Sequence, residues 1–187
     1  MRKSRMTSRR NGFAVVVLCA ALIKVCANLS LQADEPVPAS VWVAFGQDCE
    51  RKLIEEIKAA RSEIRIAIFS ITRRDIAAAL AAAARKGVSV EIRFDAKAVE
   101  DENMKETVAY LRKHRISCQS VQMKKEFASM HHKFLVVDRR RVATGSFNYT
   151  TAASTENREN LVVIESPQIA AAFLAEFDSL DTRQRKP

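Results

Sequence analysis

The chain has 187 residues, 48% of them hydrophobic, with 31 Lys/Arg against 22 Asp/Glu and a formal net charge of +9. That is the size of one ordinary domain with enough apolar material for a real core, so no second domain is expected. Only four glycines are present, and no glycine-rich phosphate loop, zinc-ligand spacing or internal repeat is found.

Residues 1–33 carry Arg2, Lys3, Arg5, Arg9, Arg10 and Lys24 but no acid, an apolar core from Phe13 to Ile23, and small residues around Val25-Cys26-Ala27 and Ala33. This is the layout of a secretory signal peptide. Its uninterrupted apolar run of 11 residues is short of the roughly 20 that cross a bilayer. A cleaved signal and a periplasmic or secreted address are therefore expected, with an uncleaved anchor as the alternative. Cleavage would remove Cys19 and Cys26 and leave Cys49 and Cys118, the candidate pair for a disulfide in an oxidising compartment.

Residues 34–40, with Pro36 and Pro38, read as a linker. Val41–Phe45 is expected as a strand, Glu50–Arg61 as a helix with Leu53, Ile54, Ile57 and Ala60 on one face, and Glu63–Ser70 as a second strand. An alanine-rich helix, Asp75–Lys86, is closed by Gly87, and Val88–Phe94 alternates as a strand does. A polar helix over Asn103–His114 leads to a strand at Ser117–Gln122 and a loop through Lys124–Ser129. Two strands carrying the motif discussed next follow, then a strand at Leu161–Ile164 and a helix at Pro167–Leu180 with proline in its first turn. This alternation predicts an α/β fold, a mixed and largely parallel sheet with helices on both faces.

The chemistry-bearing stretch is His131-His132-Lys133, a four-residue apolar run Phe134–Val137, Asp138, three arginines, and Gly145-Ser146-Phe147-Asn148: H-x-K-x4-D followed by G-S-x-N. Strand alternation puts His131 and Lys133 on one face, and Ser146 with Asn148 on one face of the next strand, so the four converge on one pocket. Lys133 and the Asn148 amide offer donors to an anionic oxygen, and His131 a nucleophile or proton carrier. That set suits phosphoryl transfer. A lysine beside the imidazole and a lack of carboxylates on this face argue for a metal-independent site without a cofactor. Asp138, seven residues after His131, falls on the opposite strand face and reads as structural support. His132 faces away from the site, and His114 closes a helix end where a cation complements the dipole.

The motif resembles the signature of the phospholipase D superfamily. From about Val41 onward the chain is similar to the small single-motif bacterial endonucleases of that superfamily, including Phe69-Ser70 and the stretch Thr150–Asn160. The resemblance implies the superfamily fold over residues 41–182. It also implies attack of the motif histidine on phosphorus, protonation of the leaving oxygen by a second motif histidine, and hydrolysis of a phosphohistidine. With one motif per chain, it implies a homodimer whose two-fold axis passes through the site. Carried over by position, Lys133 and Asn148 bind phosphate oxygens, Ser146 supports them, Gly145 is structural, and Glu159 holds the second nitrogen of His131, as the third member of a triad does.

Outside the signal segment the net charge falls to +3, yet residues 112–141 alone carry net +7. That field favours a polyanion. Lys124, Lys125, Arg139, Arg140 and Arg141 are the candidate substrate-binding cations, and the loop Gln122–Met130 a candidate groove lining. Nucleic acid is the preferred substrate, phospholipid head groups the alternative. A non-catalytic binder of DNA or membrane is disfavoured because every motif position is filled.

Overall fold

The computed structural model describes residues 36–180. The expected signal segment, the start of the linker and residues 181–182 of the expected domain lie outside the described residues. In chain order the elements are β1 (Ser40–Phe45), α1 (Asp48–Ala59), β2 (Glu63–Ile68), α2 (Arg74–Arg85), β3 (Ser89–Asp95), a 3-10 turn (Lys97–Glu100), α3 (Glu102–Lys113), β4 (Ser117–Val121), β5 (Lys133–Val137), β6 (Arg141–Gly145), α4 (Thr151–Thr155), β7 (Asn160–Glu165) and α5 (Pro167–Ser179).

Local signals set the helix boundaries. In α1 the buried Leu53 and Ile57 are four residues apart, and in α2 Ile76 and Leu80 repeat that spacing, so each helix buries one stripe. Gly87, at φ +92, makes the left-handed exit after α2. The Asp101 side chain accepts from the Met104 amide at the start of α3. Ser166 does the same for Ile169, ahead of Pro167 at the first position of α5.

The seven strands form one sheet in the order β1-β7-β6-β5-β2-β3-β4. The expected α/β fold with a mixed sheet is present. Its parallel character is narrower than the alternation suggested. Five of the seven strands point the same way, but parallel pairing is confined to β2-β3-β4, and the other four neighbouring pairs are antiparallel. The reason is local: β5 and β6 are joined by a three-residue turn, Asp138–Arg140, too short for the crossover that a parallel pair needs. Helices cover both faces. The cluster containing Ile64, Ile66, Leu53, Leu80 and Leu111 fills one side under α1, α2 and α3, and the cluster of Ala67, Phe134, Val136, Val142, Leu174 and Phe177 fills the other under α5.

At the centre, Phe134–Val137 of β5 are at most 2% exposed. A strand buried on both faces and paired on both edges is a stiff support. Because β5 runs against β2, Lys133 lies opposite Ile68, and the start of β5 meets the C-terminal ends of β2, β3 and β4. That end of the sheet carries His131. On one face α5 packs on β2, β5, β6 and β7, while β1 forms the edge of the sheet. Val41, Val43 and Phe45 of β1, on the same face, are left 55%, 60% and 68% exposed.

The candidate disulfide is not formed: Cys49 and Cys118 are both buried free thiols. Cys49 Sγ bonds the Ala44 carbonyl of β1, whereas Cys118 lies on β4 at the opposite edge. Six strand spacings amount to roughly 25–30 Å, far past disulfide reach.

Candidate active site

His131 sits two residues ahead of β5, not within it, but its backbone is still held by the sheet. The Phe69 amide donates to the His132 carbonyl at 2.9 Å, carrying the β2–β5 pairing one step further. Lys133 opens β5 on the face expected, with Nζ 3.2 Å from His131 Nδ1 and 3.4 Å from Nε2, and donates to the His131 carbonyl at 2.9 Å. The Phe69 ring stands 4.9 Å from the imidazole, tilted by 52°, and 5.5 Å from the ammonium. Phe69 thus walls the pair. Burial pushes the Lys133 ammonium below its ordinary pKa, and the negative charge of Glu159 partly restores it.

Ser146 and Asn148 do not continue on a strand, because β6 stops at Gly145. Gly145 is fixed by close approach: a Cβ there would overlap the Asn160 main chain. Ser146, just past it, donates to Glu159 at 2.5 Å and accepts from the Asn160 amide at 3.1 Å and its side chain at 3.2 Å. Asn148 lies part-buried, with Oδ1 enclosed and without a partner. Glu159 takes a different partner from the one expected. One carboxylate oxygen accepts from Ser146 and the other from Asn157 at 3.0 Å, and no hydrogen bond to His131 is made. Strand order explains this: Glu159 adjoins β7, whose neighbour is the Ser146 end of β6, while His131 extends β5, two strands away at about 10 Å. Phe69, Asn157 and Asn160 were assigned no role on sequence grounds. Only Asn160, the residue before Leu161, the sheet partner of Gly145, left a trace, since its backbone excludes a side chain at position 145.

Asp138 lies in the turn just past β5 and ties that turn to the segment entering β2. Its carboxylate accepts from the amides of Arg61, Ser62 and Glu63 and from the Ser62 hydroxyl, at 2.8 to 3.0 Å for the shortest contact of each. It belongs to the opposite end of β5 from His131.

The arginines expected to bind substrate share that far end and are already engaged. Arg139 pairs with Glu63 at 3.3 Å, Arg140 with Glu165 at 2.8 Å and Arg141 with Glu56 at 3.0 Å. A five-residue strand intervenes, so roughly 20 Å separates them from His131. Charge clustered in sequence is split here by strand direction. Lys124 and Lys125 do lie at the catalytic end, exposed in the loop that follows β4. His132 bonds Glu176 at 2.9 Å on the α5 side, and the His114 ring meets the Tyr110 carbonyl at 2.9 Å. Neither joins the site.

A groove of about 700 Å³ opens beside Phe69, lined by Ser70, Thr72, Arg73, Arg74, Thr150 and Thr151 among others. Hydroxyls and guanidinium groups share this wall with Asp101, Asn103 and the apolar Phe69, Ala98 and Ala152. Among the described residues no group of three His, Cys, Asp or Glu side chains is arranged to hold a metal.

An imidazole and an ammonium presented together at the open end of a buried strand, with a Ser–Glu pair alongside, form a site for an anionic tetrahedral group. The family described as "Cardiolipin synthase, PLD-like domain" matches residues 53–180. Among solved structures the chain is similar to Nuc, a phospholipase D family member from Salmonella typhimurium, with a TM-score of 0.73, 31% identity, and coverage of 80% of this chain and all of Nuc. NucT from Helicobacter pylori shares the fold at a TM-score of 0.70 and 24% identity, covering 76% of this chain and 96% of NucT. A mitochondrial cardiolipin hydrolase of Chlamydomonas reinhardtii is 33% identical over 69% of this chain and 56% of that protein. A phospholipase D of Rickettsia bellii is 31% identical over 72% of this chain and 65% of that protein. The chain thus spans about three-fifths of the length of these curated relatives. The protein belongs to the phospholipase D superfamily.

Proposed function

We propose that the protein is a nonspecific endonuclease that cleaves nucleic-acid phosphodiester bonds without a metal, as an exported homodimer with one shared site. The observation that carries the substrate class is the groove beside Phe69, whose hydroxyls and Arg74 suit a sugar-phosphate backbone better than an acyl chain. Correspondence with the whole of Nuc supports a one-domain, one-motif enzyme. In this reading His131 of one chain attacks phosphorus and forms the N–P bond as the ester P–O bond breaks. The His131 of the other chain gives its proton to the departing oxygen, and then activates water to cleave the phosphohistidine. Lys133 holds the phosphate oxygens and takes the place a metal cation would fill, 3.2 Å from the imidazole.

The exposed stripe of Val41, Val43 and Phe45 supports the dimer. Phe45 pairs with Asn160, at the catalytic end of the sheet, so a second copy seated there lies next to the site.

The alternative substrate is phospholipid, for which Phe127, 94% exposed at the catalytic end, would serve as a membrane contact. The experiment that separates the readings is hydrolysis of supercoiled DNA, RNA and phospholipid vesicles in excess EDTA, with His131→Ala in parallel. DNA or RNA cleavage lost in the variant is expected. Head-group release with intact nucleic acid would transfer the protein to the lipid enzymes.

A further inference from the structure

The loop between β4 and β5 is built outward from a fixed stem. Asp95, 2% exposed, accepts from the Met130 amide at 2.6 Å and the Lys97 amide at 2.9 Å, and Met130 is itself buried in the α5-side core. The Lys97 ammonium donates to the Glu126 carbonyl. At the tip the Ala128 amide closes on the Lys125 carbonyl at 3.1 Å, a four-residue turn with Phe127 at its third position. Lys124 and Lys125 lie on its N-terminal side, exposed, and neither makes an ion pair with a carboxylate among the described residues. A lone exposed aromatic is unremarkable on a protein surface. An aromatic held out on a pinned stem, beside two unpaired cations and four residues from the nucleophile, is a different arrangement. Four residues reach at most about 14 Å between Cα atoms, so Phe127 stands within a few nucleotides of the scissile phosphate.

We propose that the turn Lys124–Ala128 is a substrate arm on which an unpaired nucleobase stacks against Phe127 while Lys124 and Lys125 neutralise the adjoining phosphates. This rests on the nucleic-acid reading of the site and adds to it a structural preference. A base in a duplex already has both faces covered, so the ring engages single strands and unpaired ends. The aromatic supplies contact to any base, which keeps the arm indifferent to sequence, and the lysines make binding salt-dependent.

The test uses the full chain carrying His131→Ala, so that substrate survives, and measures affinity for a single-stranded oligonucleotide and its duplex. Adding Phe127→Ala is expected to weaken single-strand binding about tenfold or more and duplex binding by less than about twofold, with Phe127→Trp restoring the first. Lys124→Ala with Lys125→Ala should lower the dependence of log affinity on log salt by about 1.4. Equal single-strand affinity with and without Phe127 overturns the arm; if the chain with His131 intact still cleaves DNA, the nuclease reading stands without it. Loss of anionic-vesicle binding in Phe127→Ala, with nucleic-acid affinity untouched, makes the turn a membrane contact and overturns the proposal too.

Discussion

Asp138 shows how a motif residue can be indispensable without touching the chemistry. It sits at φ +50, opening the turn between β5 and β6, and its carboxylate gathers three amides and a hydroxyl from the segment entering β2. Burial raises its pKa, but the donors from Glu63, Ser62 and Arg61 outweigh this, and the net shift is downward. A carboxyl depressed on folding contributes stability above its unfolded pKa, near 3.9, and loses it as pH falls through the lower folded value. Asp138→Asn should therefore be less stable than wild type at pH 7 by about 2–3 kcal/mol, with part of the loss relieved by water at this half-exposed turn. The gap should close below about pH 4. Thermal unfolding from pH 7 to pH 3 checks it, and a gap constant across that range would mean the charge contributes nothing. The length of β5, more than the strand face, separates Asp138 from His131, and that length was legible in the apolar run Phe134–Val137. No such run serves Glu159, whose partner depends on which strand lies next to β7. That neighbour is Ser146, and no spacing in the chain states strand order.

The elements correct the charge argument in the same way. Arg139–Arg141 follow the motif directly, so a linear reading places them at the site, but β5 carries them to its other end. There they serve the fold. Arg141 and Lys52 both approach Glu56, whose side chain is only 6% exposed, whereas Arg139 and Arg140 are more than 60% exposed. Removing one partner of a buried charge costs more than removing a surface pair. Arg141→Ala is expected to lower stability by about 1–2 kcal/mol, and Arg139→Ala and Arg140→Ala by under about 0.5 kcal/mol each. None should change turnover of a nucleic-acid substrate by more than about twofold. Denaturant melts and steady-state kinetics on the three variants check this; a turnover loss in Arg139→Ala or Arg140→Ala would return these residues to the substrate surface. Helix and strand positions were legible because each carries its own period and caps, as at Gly87 and Pro167. The antiparallel joins were less so, since they hang on a three-residue turn.

At the scale of the whole molecule, the proposed mechanism divides nucleophile and acid between two histidines, and with one motif per chain it would leave each chain with half of a site. Among the described residues neither other histidine is arranged to replace the second one: His132 is bound to Glu176 on the α5 side, and His114 closes α3 at the opposite end. If two copies pool their His131, mixing wild type with His131→Ala after subunit exchange has a signature that stability effects do not imitate. At equal amounts about one quarter of the dimers keep both histidines, so activity per total chain should fall to about one quarter of wild type, while independent sites would leave about one half. Phe45→Asp, which puts a charge into the exposed stripe on β1, should shift the protein to monomer by light scattering and remove activity with it. Intermediate variant ratios discriminate further, because a shared site falls with the square of the wild-type fraction and an independent one linearly. A linear titration would place both proton transfers on a single His131 within each chain, and the half-site view of this fold would be wrong.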